Sequence, residues 1–431
     1  MTTLKSFLLL LCIGFSLQAY AQEKVTTREV LSLDKGWSFH KGDIPYPIIK
    51  GHNATYRNAK AGYVSGAASP NYDDSSWRIV DIPHDWAIEG RVNPEANLSQ
   101  GYYDRGFGWY RRKFKLSPED KGKHLELQFD GIATHATIWV NGTVLHRNWC
   151  GYTSMYIDIT PYATYGDDVN TIAVRVDAEA QEGWWYEGAG IYRHTWLVKR
   201  SPLHIITDGV FANPVKKTES QWEIPVEVSL YNSGKLPANS EVEVSLFAPD
   251  GKSITTQTQK LSVGALGEGI SNLSMTVSDP QLWSPDSPAL YKVKTIVKQN
   301  GTVTDEVETK CGFRTIRFDN NTGFWLNGEN IKIKGVCNHQ DHAGVGVAVP
   351  DALWEFRLRK LKEMGVNAYR VAHNPVAKEF MAACDSMGIM VLDENRLFNT
   401  SPEYVRQLEW QVRRDRNCPS VILWSVFNEE P

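Results

Sequence analysis

The chain divides into three stretches by the period of its apolar residues. Between residues 22 and 203 they recur at every second position in short bursts, as in Leu125, Leu127 and Phe129 or Ile172, Val174 and Val176. A period of two marks a strand with one buried face. The dipeptides Asp130-Gly131 and Asn141-Gly142 supply turns between such bursts. Many short strands with these turns predict a jelly-roll β-sandwich, interrupted by Gly- and aromatic-rich loops at 101–110 and 183–193. From 204 to 317 the alternation is longer and cleaner: Val226, Val228, Leu230; Val242, Val244, Leu246; Tyr291, Val293, Thr295, Val297. Turns are expected at Pro249-Asp250-Gly251 and Asn300-Gly301. This rhythm suits an immunoglobulin-like β-sandwich, although no Cys pair with a central Trp accompanies it. No residue there suggests chemistry, and a bracing role is expected.

From 318 to 431 strand and helix patterns alternate. Residues 331–336 read as a strand. Asp351 is placed to cap a helix whose Trp354, Leu358, Leu361 and Met364 share one face, with Gly365 ending it. A second strand is expected at 366–371, a helix at 376–387 closed by Gly388, and a third strand at 389–392. Ser401 and Pro402 open a third helix, which runs to about Asn417. The apolar run 421–425 reads as a strand buried on both faces, the habit of parallel sheets. Four strands and three helices make the N-terminal half of a (β/α)₈ TIM barrel, whose complete form takes roughly 250 residues. The chain is therefore expected to be truncated within the barrel, and inactive by itself.

Composition narrows the function classes. A net charge of −4 offers no basic footprint for nucleic acid. The aromatic content is high, with 15 Trp and 18 Tyr. Large cores explain such an excess, and so does carbohydrate binding, where rings stack on apolar sugar faces. The N-terminus has one cation (Lys5), an apolar run and the small-residue site Ala19-Tyr20-Ala21. It predicts a signal peptide over 1–21 and a periplasmic or secreted product. No later stretch reaches the roughly 18 unbroken apolar residues of a membrane span. Beyond Cys12, the cysteines at 150, 311, 337, 384 and 418 are odd in number and widely spread, so isolated thiols are expected.

Polar residues cluster where each strand of the third stretch ends: Asn338-His339-Gln340-Asp341-His342, then Arg370, His373 and Asn374, then Asp393, Glu394 and Asn395, then Asn428, Glu429 and Glu430. In a TIM barrel these positions converge on one mouth, where active sites are built. Neighbours on a strand point to opposite faces, so one of the last two glutamates should face the mouth.

The stretch Asp415-Arg416-Asn417-Cys418-Pro419-Ser420-Val421-Ile422-Leu423-Trp424-Ser425-Val426-Phe427-Asn428-Glu429 resembles the acid/base signature of glycoside hydrolase family 2, and Asn367-Ala368-Tyr369-Arg370-Val371-Ala372-His373-Asn374-Pro375 resembles its second signature. Weaker likenesses include Gly188-Ala189-Gly190-Ile191-Tyr192-Arg193 and Leu282-Trp283-Ser284-Pro285. The order jelly roll, immunoglobulin-like domain, barrel is also the family's. The resemblance implies a retaining exo-glycosidase, with a terminal β-galactoside of an oligosaccharide or polysaccharide as substrate. A β-glucuronidase, arabinopyranosidase or β-mannosidase remains an alternative, as does a non-catalytic sugar-binding protein. It implies Glu429 as catalytic acid/base and Asn428, His339, His373, Arg370 and Glu187 as substrate-binding or supporting residues. The nucleophile would be a Glu on a later strand. Cys418 stands where the signature usually has His. The magnesium ligands that some β-galactosidases place after the third strand have no counterpart in residues 394–400, so neither metal nor cofactor is expected; self-assembly into a homo-oligomer is left open.

Overall fold

The computed structural model describes residues 28–429, so the expected signal peptide, and Glu430, lie outside the described residues. Two antiparallel sheets form the first unit. One has six strands in the order Arg78–Val80, Trp37–Lys41, Phe107–Phe114, Asn170–Asp177, His135–Val140, Thr143–Asn148. The other runs Glu29–Ser32, Thr195–Arg200, His124–Phe129, Met155–Asp158. Leu125, Leu127, Phe129, Ile172, Val174 and Val176 are all fully buried between them. Asn141 (φ 48°) and Gly142 (φ 75°) join two adjacent strands with the left-handed backbone that two-residue hairpins require. Asp130-Gly131 is no hairpin, because the strands on either side of it belong to different sheets. Asp130 instead accepts from Trp196 Nε1 (2.9 Å) and pairs with Lys378 (3.1 Å).

The second unit is a sandwich of two four-stranded sheets. One centres on Gln221–Asn232, which pairs with Leu203–Ala212, Val215–Lys216 and Gly267–Ser278; the other runs Ser253–Val263, Ala238–Phe247, Tyr291–Gln299, Thr302–Cys311. The expected alternation is realised: Val242, Val244, Leu246 and Val293 have no exposed surface. The turn at Asn300-Gly301 has positive φ at both residues. Cys150, Cys311, Cys337, Cys384 and Cys418 are all free thiols.

A small three-stranded sheet (Ile316–Asp319, Gly323–Leu326, Glu329–Asn330) leads into the partial barrel. There four parallel strands lie side by side: β1 (Gly335–Asn338), β2 (Ala368–Val371), β3 (Met390–Glu394) and β4 (Val421–Ser425). Helices α1 (Asp351–Glu363), α2 (Lys378–Met387) and α3 (Pro402–Asp415) connect them. The first strand starts four residues later than its sequence suggests. Asn367 explains this, since its side chain bonds Lys334 N and Lys332 O and occupies the backbone groups a ladder would use.

Four further expectations are corrected. Asp351 occupies the first turn of α1 behind an N-cap Pro350, and its carboxylate meets His194 instead of the helix backbone. Met364 lies past the end of α1 and is 76% exposed. In β4, Val421 and Ile422 are buried but Leu423 and Trp424 are exposed, because β4 is the edge of the sheet among the described residues. Ser401 stands at the N-cap of α3 and Pro402 at its first position, yet the Ser401 side chain makes no capping bond.

The three units are tied by buried polar groups. The Arg193 guanidinium donates to the carbonyls of Asp130 (3.2 Å), Tyr152 (3.1 Å) and Pro375 (2.7 Å) and to Gln340 Oε1 (2.8 Å), joining jelly roll to barrel loops. Asn417 brackets the Leu203–Ala212 strand of the second sandwich, donating to Val210 O and accepting from Ala212 N. Arg314 donates to the carbonyls of Pro419 and Val421. No helix among the described residues is long and apolar enough to cross a membrane.

Candidate active site

The C-terminal ends of β2, β3 and β4 converge on Glu394. This carboxylate has no exposed surface. Its Oε2 accepts from Arg370 Nε (3.0 Å), Arg370 Nη2 (2.7 Å) and Ser425 Oγ (2.8 Å), while Oε1 lies 2.6 Å from His373 Nδ1. Arg370 also donates to Asn428 Oδ1 at 2.8 Å. That bond fixes the Asn428 amide, leaving its buried Nδ2 as a donor with no acceptor among the described residues. Such a donor is costly inside a protein and suits a site that offers it to a ligand. Two of the expected residues, Arg370 and His373, are therefore held directly by Glu394, and a third, Asn428, through Arg370.

Glu429 follows directly, with φ 51° and an exposed side chain. It lies past the end of β4, so the face alternation of a strand does not choose between it and its neighbour. The left-handed backbone, which costs a non-glycine residue free energy, turns the chain where the candidate acid/base stands.

The opposite wall comes from the jelly roll. Trp185 stacks on His339 with ring centroids 4.7 Å apart and 15° between planes, and meets His373 edge-on at 5.5 Å. Arg396 covers the Trp185 ring at 4.9 Å and donates to His373 O. Trp185 Nε1 reaches Tyr152 Oη at 3.2 Å. His339 Nδ1 contacts the carbonyl of Ala372 at 2.9 Å, and burial lowers its basicity. A carbonyl only accepts, so the neutral ring carries its proton on Nδ1 and presents Nε2 as an acceptor.

Glu187 is not in the open cleft. It is 1% exposed, paired with Arg105 (3.1 Å), bonded to Gln100 Nε2 (3.2 Å) and capped by the amide of Glu182 (2.9 Å). It holds the aromatic loop from behind, where no sugar reaches it. Two of its partners, Gln100 and Arg105, lie more than 80 residues upstream, a pairing that no local pattern discloses.

Glu182 sits behind the same loop, accepting from Gly151 N at 2.8 Å. Burial, reinforced by Glu187, pushes its carboxyl up to about 8. An unfolded glutamic acid ionises near 4.5. Between these values the folded chain keeps a proton that the unfolded chain loses, so stability falls as pH rises from about 4.5 to about 8. Glu182→Gln is expected to flatten this part of the melting-temperature profile, as read by calorimetry at pH 5 to 8.5. Parallel profiles for the two proteins would contradict a protonated Glu182.

Among the described residues, His194, Asp351 and Glu379 have ligand atoms within 4.8 Å of one another. His194 already bridges Asp34 (2.8 Å) and Asp351 (3.2 Å), and the bond to Asp34 raises it to about 9. At neutral pH protons occupy both nitrogens, so this group is an ion-pair joint between jelly roll and α1. In the active-site cluster the oxygens of Glu394 are engaged by Arg370, Ser425 and His373.

Comparison with known proteins agrees with this layout. Three family profiles match in succession: "Glycosyl hydrolase 2 galactose-binding domain-like" over 95–222, "Glycosyl hydrolases family 2" over 203–314, and "Glycosyl hydrolases family 2, TIM barrel domain" over 319–401. The chain belongs to glycoside hydrolase family 2. Among family 2 relatives, the β-galactosidase BoGH2A of Bacteroides ovatus is 36% identical over 94% of this chain and 47% of its own length. A β-glucuronidase of Bacteroides fragilis is 29% identical over 82% of this chain and 53% of its own. The crystal structure of a β-glycosidase from Bacteroides vulgatus superposes with a TM-score of 0.81 at 35% identity, covering 93% of this chain and 50% of that one. The chain thus spans about half the length of the family 2 proteins it matches.

Proposed function

We infer that the protein containing this chain is a retaining exo-glycosidase that removes terminal β-D-galactosyl residues from oligosaccharides or polysaccharides outside the cytoplasm. The observation that carries this reading is the Glu394-centred cluster, which presents Arg370, His373 and Asn428 around the approach to Glu429. In the first step Glu429 gives its proton to the glycosidic oxygen as a second carboxylate attacks the anomeric carbon; the aglycone leaves as an alcohol. In the second, the Glu429 carboxylate takes a proton from water, whose oxygen displaces the second carboxylate. Two inversions return the β configuration. Asn428 Nδ2 and His339 Nε2 supply a donor and an acceptor for glycone hydroxyls. The second carboxylate is assigned to no residue of this chain.

The galactoside preference leans on the similarity to BoGH2A; the likeness to proteins called β-glucuronidases favours β-glucuronides as the second reading. The test follows hydrolysis of methyl β-galactoside and methyl β-glucuronide by proton NMR in the full-length protein. The β-anomer of galactose should appear first and mutarotate later. Initial release of the α-anomer would overturn retention, and faster turnover of the glucuronide would overturn the galactoside assignment.

A further inference from the structure

The loop that places Trp185 against His339 also carries a second indole facing outward. Trp184 is 57% exposed, yet it is not adrift. It packs edge-on against Trp185 at 5.3 Å and lies 6.5 Å from His373, its plane tilted 34° from the imidazole. Behind it, Trp185 is fixed by Tyr152, His339 and Arg396, so the exposed ring rests on a rigid support. A third indole, Trp149, is 49% exposed on the neighbouring loop and packs against His135 at 5.2 Å. The two loops are tied by the bond from Gly151 N to Glu182. Single exposed aromatics need no explanation. Two indoles on cross-linked loops, one of them beside His373, are different, since each offers a broad apolar face at small entropic cost.

We propose that Trp184 and Trp149 form an aromatic track on the jelly roll that binds the aglycone side of a β-linked oligosaccharide, Trp184 under the first sugar beyond the scissile bond and Trp149 under a later one. The assignment rests on the glycosidase reading and extends it. His339 and His373 are half-buried and Asn428 is buried, which suits the single terminal sugar of an exo-acting enzyme. Trp184 is exposed beside His373, and Trp149 is exposed on the loop tied to it, so the remainder of the chain would pass over them as it leaves. A pyranose presents its axial C–H groups to an indole face, so the track selects β-linked chains over short or alkyl aglycones.

The test compares Trp184→Ala and Trp149→Ala in the full-length protein on methyl β-galactoside, a β-galactosyl disaccharide and the corresponding tetrasaccharide. Trp184→Ala should lower kcat/KM about tenfold on the disaccharide and tetrasaccharide. Trp149→Ala should cause a loss of similar size on the tetrasaccharide alone and leave the methyl glycoside unchanged. Equal losses on all three substrates would make these rings part of the glycone wall and overturn the track, as would no loss on any. Calorimetric titration of the unhydrolysed tetrasaccharide into Glu429→Gln protein, with and without Trp149→Ala, reads binding alone. A weaker Kd there supports the track whatever becomes of the hydrolytic assignment, and an unchanged Kd sinks it.

Discussion

Replacing Glu429 by Gln is expected to lower turnover of a natural β-galactosyl disaccharide by roughly 10²–10⁴-fold, the usual worth of a positioned proton donor. Gln keeps the shape but has no acidic proton for the leaving alcohol. Glu429 is exposed and has no buried partner among the described residues, so the melting temperature should not move. The loss should depend on the leaving group. A nitrophenyl glycoside departs without protonation, and its first step should survive the substitution. Full activity on the disaccharide would remove Glu429 from the mechanism.

Glu394→Ala should be damaging in a different way. It leaves Arg370, His373 and Ser425 facing a cavity where a carboxylate had accepted four hydrogen bonds. Breaking a buried ion pair from one side costs about 3–5 kcal/mol. The Arg370 side chain is 37% exposed and water can hydrate it, so the lower end applies. Loss of the cluster also frees Asn428 and His373, and a displacement near 1 Å at reacting groups costs on the order of 10²-fold in rate. Denaturant unfolding and kinetics should therefore both report the change, whereas Glu429→Gln affects kinetics alone. A Glu394→Ala protein of native stability would show that the cluster is not the keystone of the strand ends.

The two substitutions also separate what the amino-acid pattern discloses from what it hides. Strand 421–425 is correct to the residue, and Asn141-Gly142 and Asn300-Gly301 turn as expected, because local propensity decides each of them. The polar clusters after each barrel strand are likewise visible as strings. Their pairing is not. Glu394 meets Arg370 and Ser425 across 24 and 31 residues, and only the register of parallel strands brings them together. Glu187 is likewise paired at a distance, with Arg105 in a loop 82 residues upstream. Leu423 and Trp424 read as core because an apolar run carries no mark of whether a neighbouring strand covers it. Residues 331–334 have strand-like alternation, but the Asn367 side chain takes the hydrogen bonds that would have extended β1. Arg193 and His194, which join jelly roll to barrel, stand in a stretch whose sequence speaks only of loops.

The Arg193 junction has a consequence for how such a protein diversifies. Its guanidinium locks the jelly-roll loops onto the loops that follow β1 and β2, so the cleft has one wall inherited from each domain. One wall consists of strand ends gathered on the buried Glu394, and the facing wall of jelly-roll loops that expose Trp149 and Trp184. On that wall the exposed positions 149 and 184 are free to vary, while Tyr152, Glu182, Trp185 and Glu187 beneath them are fixed by the contacts that hold both walls together.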